Sequence, residues 1–253
     1  MSVEPRPQAG LPDEPKPRPQ ARLPEEPEPR RRARLAAMGI VSWSLRADAG
    51  APLSPALPDD TAGAAEAAHE LARLREQVAA CTRCTLHRSR TRTVFGVGDP
   101  HARLLVVGEA PGADEDAQGE PFVGRAGRLL DAMLLGIGLR REQVYIANIL
   151  KCRPPGNRDP RPEEVASCSG YLDRQIASVA PELILAVGRI AAQNLLGVST
   201  PIARLRGHEH QHPATATPVL VTYHPAYLLR SPLEKRRAWQ DLVRVAARLG
   251  LTP

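Results

Sequence analysis

LLVVGEAPG, residues 104–112, is a short apolar run that ends in an acid, a proline and glycines. Two similar runs lie further along the chain, Val144–Ala147 before Asn148 and Val219–Thr222 shortly before His224. Short apolar runs bounded by turn residues are typical of buried parallel strands. Parallel strands end at the same edge of a sheet, where open α/β folds bind their ligands. We therefore expect a carboxylate, an amide and an imidazole to share one cleft.

Helical patterns alternate with these runs. Apolar residues at spacings of three and four, with capping residues before them, predict the following helices: Thr61–Ala80, Gly124–Ile137, one that starts at Pro162, Arg189–Leu196 and Glu234–Leu249. The last helix is expected to bury Trp239, and Glu109–Phe122 is expected to be a polar loop. With Val144–Leu150 taken as the second strand and Leu183–Val187 as the third, the pattern predicts an α/β fold with helices on both faces of a parallel sheet.

The first 60 residues differ in composition from the rest. They contain almost half of the 26 prolines, alternating with arginine, glutamate and glutamine. Such a segment buries too little apolar surface to offset its ordering entropy, so residues 1–60 are expected to form a disordered tail. Residues 61–253 then suit one compact domain.

The chain is basic, with a net charge of +6. Arginines and lysines concentrate in two loops near the expected cleft: Arg83, Arg88, Arg90 and Arg92 in one, and Lys151, Arg153, Arg158 and Arg161 in the other. Basic clusters beside a cleft fit a nucleic-acid backbone. No run approaches the roughly 20 apolar residues that span a bilayer, so a soluble, cytoplasmic protein is expected.

Four cysteines come from three segments of the chain. Cys81 and Cys84 form a CxxC pair, Cys152 follows the second strand, and Cys168 lies on the predicted helix that starts at Pro162. Disulfides are rare in cytoplasmic proteins, and thiolates from three segments can close a site for zinc or an iron-sulfur cluster. Spacing alone does not distinguish these two, and Cys168 can also be a small core residue.

Three cleft residues each have a structural and a functional interpretation. Phe122, one of two phenylalanines, can anchor its loop or provide a stacking platform for a base. Asn148 can bond neighbouring backbone, or match a pyrimidine edge that bears one carbonyl and one N–H, as uracil does. His224 can cap the following turn or donate a hydrogen bond to a ligand. For Phe122 and Asn148 both interpretations stay open, whereas the expected placement of His224 beside Asn148 and the Glu109 loop at one sheet edge favours a donor role for His224.

Four motifs occur together in order: GEAPG at 108–112, GEPFVGRAG at 119–127, NILKC at 148–152 and HPAYLLR at 224–230. With the four cysteines, this set resembles the iron-sulfur, or family 4, uracil-DNA glycosylases over roughly residues 79–249. The resemblance implies a three-layer α/β/α sandwich on a four-stranded parallel sheet. It also implies an enzyme that flips uracil out of DNA and hydrolyses its N-glycosidic bond in base excision repair.

The resemblance assigns roles to individual residues. Cys81, Cys84, Cys152 and Cys168 would bind a 4Fe-4S cluster. The backbone of Glu109 and Ala110, the Phe122 ring and the Asn148 amide would bind uracil. His224 would donate to the uracil carbonyl as charge develops, and Leu228 would wedge into the duplex.

One position leaves the general base open. Ala110 stands where other branches of the superfamily carry a water-activating aspartate, so Glu115 and Asp116 are the candidates here. No histidine lies between His101 and His208, where a covalently bonding branch has one, so a monofunctional hydrolytic enzyme is expected.

The expected substrate is single- or double-stranded DNA that contains uracil, bound by a monomer associated with the nucleoid. The alternative is a non-catalytic nucleic-acid-binding module that a metal on the four cysteines stabilises.

Overall fold

The computed structural model of the chain describes residues 61–251. The predicted tail, residues 1–60, lies outside the described residues. Six strands form one mixed sheet: β1 Val97–Gly98, β2 Leu104–Gly108, β3 Tyr145–Asn148, β4 Leu183–Val187, β5 His210–Gln211 and β6 Pro218–Thr222. The order across the sheet is β1-β3-β2-β4-β6-β5, with parallel pairing among the central four and antiparallel pairing at both edges.

Eight α-helices occur in the described residues: α1 Thr61–Ala79, α2 Ala113–Gln118, α3 Arg125–Gly136, α4 Pro162–Val179, α5 Arg189–Leu196, α6 Ile202–Leu205, α7 Pro225–Arg230 and α8 Lys235–Arg248. Helices α1, α4 and α5 cover one face of the sheet, and α3, α7 and α8 cover the other. The predicted α/β/α arrangement is confirmed. Among these helices, none combines the length and apolar composition needed to cross a bilayer.

The central strands divide their side chains between the two faces. Leu105 and Val107 of β2 lie in the core beneath α1, α4 and α5, whereas Leu104 and Val106 lie in the core beneath α3, α7 and α8. Because successive strand residues point to opposite faces, both cores need apolar residues, and every residue of β2 is buried. This explains why the strands read as continuous apolar runs.

The sheet is larger than the predicted four parallel strands. β1 and β5 add antiparallel pairing at the two edges, and each contains only two residues. Two residues are too few to show the alternation by which a strand is recognised in sequence. The central four strands are those predicted.

The segment predicted as a polar loop, Glu109–Phe122, contains helix α2. Gly112 precedes the helix and its amide donates to the Glu115 carboxylate, while Gly119 ends it in the left-handed conformation with φ of 84°. This is a capping arrangement that stabilises even a short helix. The acidic run therefore forms the first turn of a helix, where negative charge is favourable.

Trp239 was expected to be buried and is 39% exposed. The buried side of α8 consists of residues such as Ala238, Leu242 and Val245. Trp239 lies one residue, or 100°, around the helix from Ala238, and its ring covers Gly136 at the end of α3 instead. The residue packs at the rim of the core, so the prediction was wrong.

Candidate active site

The carboxyl edge of the sheet brings two functional segments into direct contact. In the parallel pairing of β2 with β3, Gly108 lies opposite Asn148. A Cβ atom added to Gly108 would lie 2.4 Å from the Asn148 Oδ1 atom and 2.6 Å from the Phe122 Cζ atom. Only glycine permits this approach, so the Asn148 amide and the Phe122 ring meet beside Gly108, in the region that we call the pocket. Gly108 was not among the predicted site residues, although its position in the GEAPG motif was a signal that could have identified it.

The Phe122 ring lies against the His224 ring, with 5.6 Å between the ring centroids and 29° between the planes. Phe122 has a φ of 54°, which is unfavourable for a residue with a side chain. Arg141 compensates by donating to the carbonyl oxygens of Pro121 and Phe122. Gly127 has no space for a Cβ, which would lie 1.7 Å from the Phe122 oxygen. The loop thus holds an aromatic ring in a strained position inside the pocket.

His224 is poised as a neutral hydrogen-bond donor. Its Nδ1 atom accepts a hydrogen bond from the Ala226 amide at 3.1 Å, which assigns the ring proton to Nε2. Burial, and secondarily the positive charge of Arg230, lowers the pKa of His224 to about 4, although Glu115 opposes the shift. Gly188, with φ of 99°, allows close packing, since its Cβ would lie 3.0 Å from the His224 Cβ.

Asn148 carries a buried polar atom without a partner. Its side chain is 2% exposed, and Oδ1 accepts no hydrogen bond from any described residue. An unpaired buried acceptor costs about 1–3 kcal/mol. A ligand that donates an N–H to this oxygen would recover that cost.

Glu109 follows β2 directly and is half-buried. Burial, and then the negative charge of Asp159, raises the pKa of Glu109 to about 7, while Arg189 opposes the shift. Its carboxylate makes no hydrogen bond within residues 61–251, although its backbone oxygen accepts from the Leu150 amide at 3.0 Å. The Glu109 carboxylate is therefore available for proton transfer near neutral pH.

The predicted catalytic acids Glu115 and Asp116 brace loops instead. The Glu115 carboxylate accepts hydrogen bonds from the amides of Gly112, Val123 and Gly124. The Asp116 carboxylate is 3% exposed and accepts from the amides of Thr91 and Arg92. Because their oxygens are occupied by backbone donors, the expectation that either acts as general base is not supported.

Leu228, the predicted DNA wedge, is 1% exposed and packs in the core beneath α3 and α8. It lies on the inner side of α7, because the HPAYLLR segment forms a helix from Pro225 onward. Its neighbours Tyr227 and Leu229 are each 37% exposed. In this structure the helix turns Leu228 inward, so its wedge role stays a prediction that would require Leu228 to leave the core.

The four cysteines meet at one small cavity. Cys81 and Cys84 lie in the segment after α1, Cys152 lies four positions beyond the end of β3, and Cys168 lies on α4. None of the four forms a disulfide. The Arg90 guanidinium donates to the Cys152 sulfur at 3.2 Å. Burial raises the pKa of Cys168 to about 11 and also raises the pKa of Cys152. Within the described residues, no three Cys, His, Asp or Glu side chains converge closely enough to bind a single metal ion.

Several residues of the predicted basic clusters have other partners. Lys151 is 1% exposed and cannot reach a phosphate group, and burial lowers its pKa to about 8. Arg158 forms an ion pair with the buried Glu164, and the Arg83 guanidinium lies over the Tyr171 ring. The solvent-exposed members of the two clusters are Arg83, Arg88, Arg92 and Arg161. The available positive surface is therefore smaller than the sequence suggested.

The tautomer and pKa of His224 can be measured directly. We expect NMR spectra of the imidazole nitrogens to show a protonated Nε2 and an unprotonated Nδ1 from pH 8 down to pH 5. Burial keeps the charged form unfavourable, whereas a histidine in an unfolded chain takes up a proton near pH 6.5. Protonation of His224 above pH 6 would contradict this assignment.

Comparisons with known proteins agree with this arrangement. Residues 95–243 match the family model described as the uracil DNA glycosylase superfamily. The type-4 uracil-DNA glycosylase of Archaeoglobus fulgidus is 46% identical over 180 residues, which cover 69% of this chain and 90% of that protein. The type-4 enzyme of Thermotoga maritima is 46% identical over 157 residues, covering 62% and 81% of the two chains. That of Sulfurisphaera tokodaii is 40% identical over 190 residues, covering 72% and 86%.

The matched region contains all six strands and the whole carboxyl edge of the sheet. The family that the GEAPG, NILKC and HPAYLLR motifs indicated is the family that the comparisons return. This chain belongs to the type-4 uracil-DNA glycosylases.

Proposed function

We propose that this protein removes uracil from DNA by hydrolysing the N-glycosidic bond, leaving an abasic site for repair. One observation carries the proposal: the unpaired Asn148 Oδ1 atom and the neutral His224 imidazole both lie beside the Phe122 ring. The pocket thus combines a stacking surface, an acceptor in need of a donor and an imidazole with its proton on Nε2. Those are the groups that a flat, polar heterocycle requires.

The Asn148 amide matches uracil and not cytosine. Uracil offers an N3–H to Oδ1 and an O4 to the amide N–H. Cytosine offers an unprotonated ring nitrogen and an amino group at the same places, so both contacts would fail. A site built around a buried polar group strongly rejects a ligand that leaves that group unpaired. The discrimination in kcat/KM is far larger than the discrimination that a single methyl group provides.

His224 would act on the leaving group. Breaking the glycosidic bond places negative charge on the uracil oxygens, and the Nε2–H of a neutral imidazole can donate to the O2 atom as that charge develops. Because the His224 pKa is about 4, the ring is neutral at physiological pH and acts as a hydrogen-bond donor without giving up its proton. A positioned donor of this kind contributes about 10² to 10³ in rate.

Substitution of His224 tests the proposal. Purified protein should convert a uracil-containing oligonucleotide into an alkali-sensitive abasic product, and His224→Ala should lower the single-turnover rate by roughly 10² to 10³. His101→Ala, at an exposed position outside the pocket, is the matched control and should retain the wild-type rate. Wild-type protein that binds the oligonucleotide but leaves every uracil in place would support the non-catalytic module instead.

Glu109 is our candidate for the residue that activates water, in place of Glu115 and Asp116. It lies at the end of β2 beside the pocket, its carboxylate has no partner in the described structure, and its pKa is about 7. A general base works best when its pKa is close to the working pH. The deprotonated form is the active one, so activity should fall as the pH drops below 7.

The pH profile distinguishes Glu109 from other candidates. We expect the wild-type rate to decline below about pH 7. The Glu109→Gln variant should be slower by about 10² to 10⁴ and should no longer show that decline. Asp159→Asn is the matched control: it removes the negative charge that raises the Glu109 pKa, so it should move the decline to lower pH. An unchanged acid limb in Glu109→Gln would overturn this role.

The cysteine cavity fits a 4Fe-4S cluster better than a zinc ion. Zinc holds four sulfurs about 2.3 Å from one centre, whereas a cluster spreads its ligands over a larger core. The four cysteines line one cavity, yet no three such side chains among the described residues approach single-ion geometry. When bound, the cluster would supply a covalent cross-link among the segment after α1, the loop after β3 and α4. We assign it no step in bond cleavage.

Metal analysis tests the cluster. The purified protein should show a broad visible absorbance band with about four iron and four sulfide per chain. Cys168→Ser should reduce both the band and the iron content, while the surface variant Ser169→Ala, one position along the same helix, should leave them unchanged. A colourless protein that contains one zinc ion would contradict the assignment.

DNA would bind across the carboxyl edge of the sheet. The exposed residues Arg88, Arg92 and Arg161 can contact phosphates, and the exposed Tyr227 and Leu229 on α7 are better placed than Leu228 to contact bases. We propose that the active form is a monomer. We propose that it acts on chromosomal DNA in the nucleoid, within the cytoplasm.

A further inference from the structure

Lys151 is a buried lysine between the two sites. It is 1% exposed, and its backbone oxygen accepts a hydrogen bond from the Val94 amide at 2.8 Å. A buried ammonium group is strongly unfavourable unless hydrogen bonds and opposite charge compensate it. Its role in the structure therefore requires an explanation, since it can neither reach DNA nor touch uracil directly.

The Lys151 side chain holds the end of β3. Its Nζ atom donates to the backbone oxygen of Asn148 at 2.8 Å and to the Oε1 atom of Gln175 on α4. The Gln175 amide nitrogen donates in turn to the Phe95 oxygen at 3.0 Å and to the Tyr145 hydroxyl at 3.2 Å. Gln175 is fully buried, so these bonds are protected from water.

The same lysine lines the cysteine cavity. Lys151 precedes Cys152 directly and shares the cavity wall with Cys168, which lies two helical turns before Gln175 on α4. Asn148 lies three residues before Lys151, and its amide faces the pocket. One side chain thus connects the segment that holds the cysteines with the segment that positions the uracil-reading amide.

We propose that Lys151, acting with Gln175, couples the cysteine site to the uracil pocket, so that each site is more stable when the other is filled. The proposal rests on the uracil-glycosylase function and on a metal group at the four cysteines. Four thiolates bound to metal carry negative charge, which compensates the ammonium group in a buried place. The ammonium then fixes the Asn148 backbone, and with it the orphan Oδ1 atom.

Coupling between two sites is reciprocal, so uracil must affect the metal site. In the wild-type holoprotein, we expect saturating free uracil to slow the loss of the visible band during exposure to an iron chelator by about 5-fold or more. Lys151→Met keeps the bulk of the side chain but loses its hydrogen bonds. In this variant, the rates of band loss with and without uracil should be equal within error. Arg153→Met, in the same loop, removes a side chain that bonds only Asn157 within residues 61–251, and it should keep the wild-type protection.

The outcomes separate this inference from the proposed function. A wild-type protein that releases no uracil defeats the function. A wild type that releases uracil, yet loses its band at the same rate with and without uracil, overturns the coupling alone. Full protection in Lys151→Met overturns it as well.

Gln175→Met provides a second test, because it removes the acceptor on α4 while leaving the lysine in place. Reduced protection in that variant supports the coupling, and it replaces Lys151→Met if that variant does not fold. If neither variant folds, the comparison of wild-type rates with and without uracil decides.

Discussion

The pairing of β2 with β3 is the constraint on which the pocket depends. The parallel register places Gly108 opposite Asn148, and the missing side chain at Gly108 leaves the space into which the Asn148 amide and the Phe122 ring both project. Hydrogen bonds from Ile149 and Leu150 to the oxygens of Gly108 and Glu109 extend the pairing past the end of the strands. The loop that leads to the cysteines is therefore held to the loop that leads to the active site.

Burial explains the protonation states in this pocket. Removal from water disfavours charge, so it lowers the pKa of His224 and raises that of Glu109. The two shifts have opposite directions because one group is charged when protonated and the other when deprotonated. Together they leave a neutral donor on one side of the pocket and, near pH 7, a carboxyl group that can exchange a proton on the other.

The sequence predicted what periodicity and strand order control. Four central strands, the helices on both faces and the meeting of Asn148, Phe122 and the HPAYLLR segment at one edge all follow from apolar runs and from the geometry of parallel sheets. The role of Gly108 could also have been predicted, because a glycine at the end of a buried strand indicates that another group approaches the backbone closely.

Other features depend on tertiary contacts that no local pattern contains. β1 and β5 exist because neighbouring strands offer them partners, and each is too short for periodicity. Leu228 turns inward because Pro225–Arg230 forms a helix packed against α3 and α8. The burial of Lys151 depends on Gln175, which lies 24 residues further along the chain. No local pattern shows that partner, so the sequence suggested an exposed lysine.

A single physical rule relates the positions of the charged residues to the proposed chemistry. The charged residues that the sequence suggested as catalytic or DNA-binding, Glu115, Asp116 and Lys151, use their charges to bind backbone groups in loops and at the end of β3. The groups that we propose to contact uracil, Asn148, Phe122 and His224, are neutral at physiological pH. A reaction that releases an anion explains this division, because fixed negative charge beside the departing base would raise the barrier, whereas neutral donors lower it. Glu109 is compatible with this rule, since the proposed general base becomes neutral when it takes the proton of the attacking water and then bears no charge toward the leaving uracil.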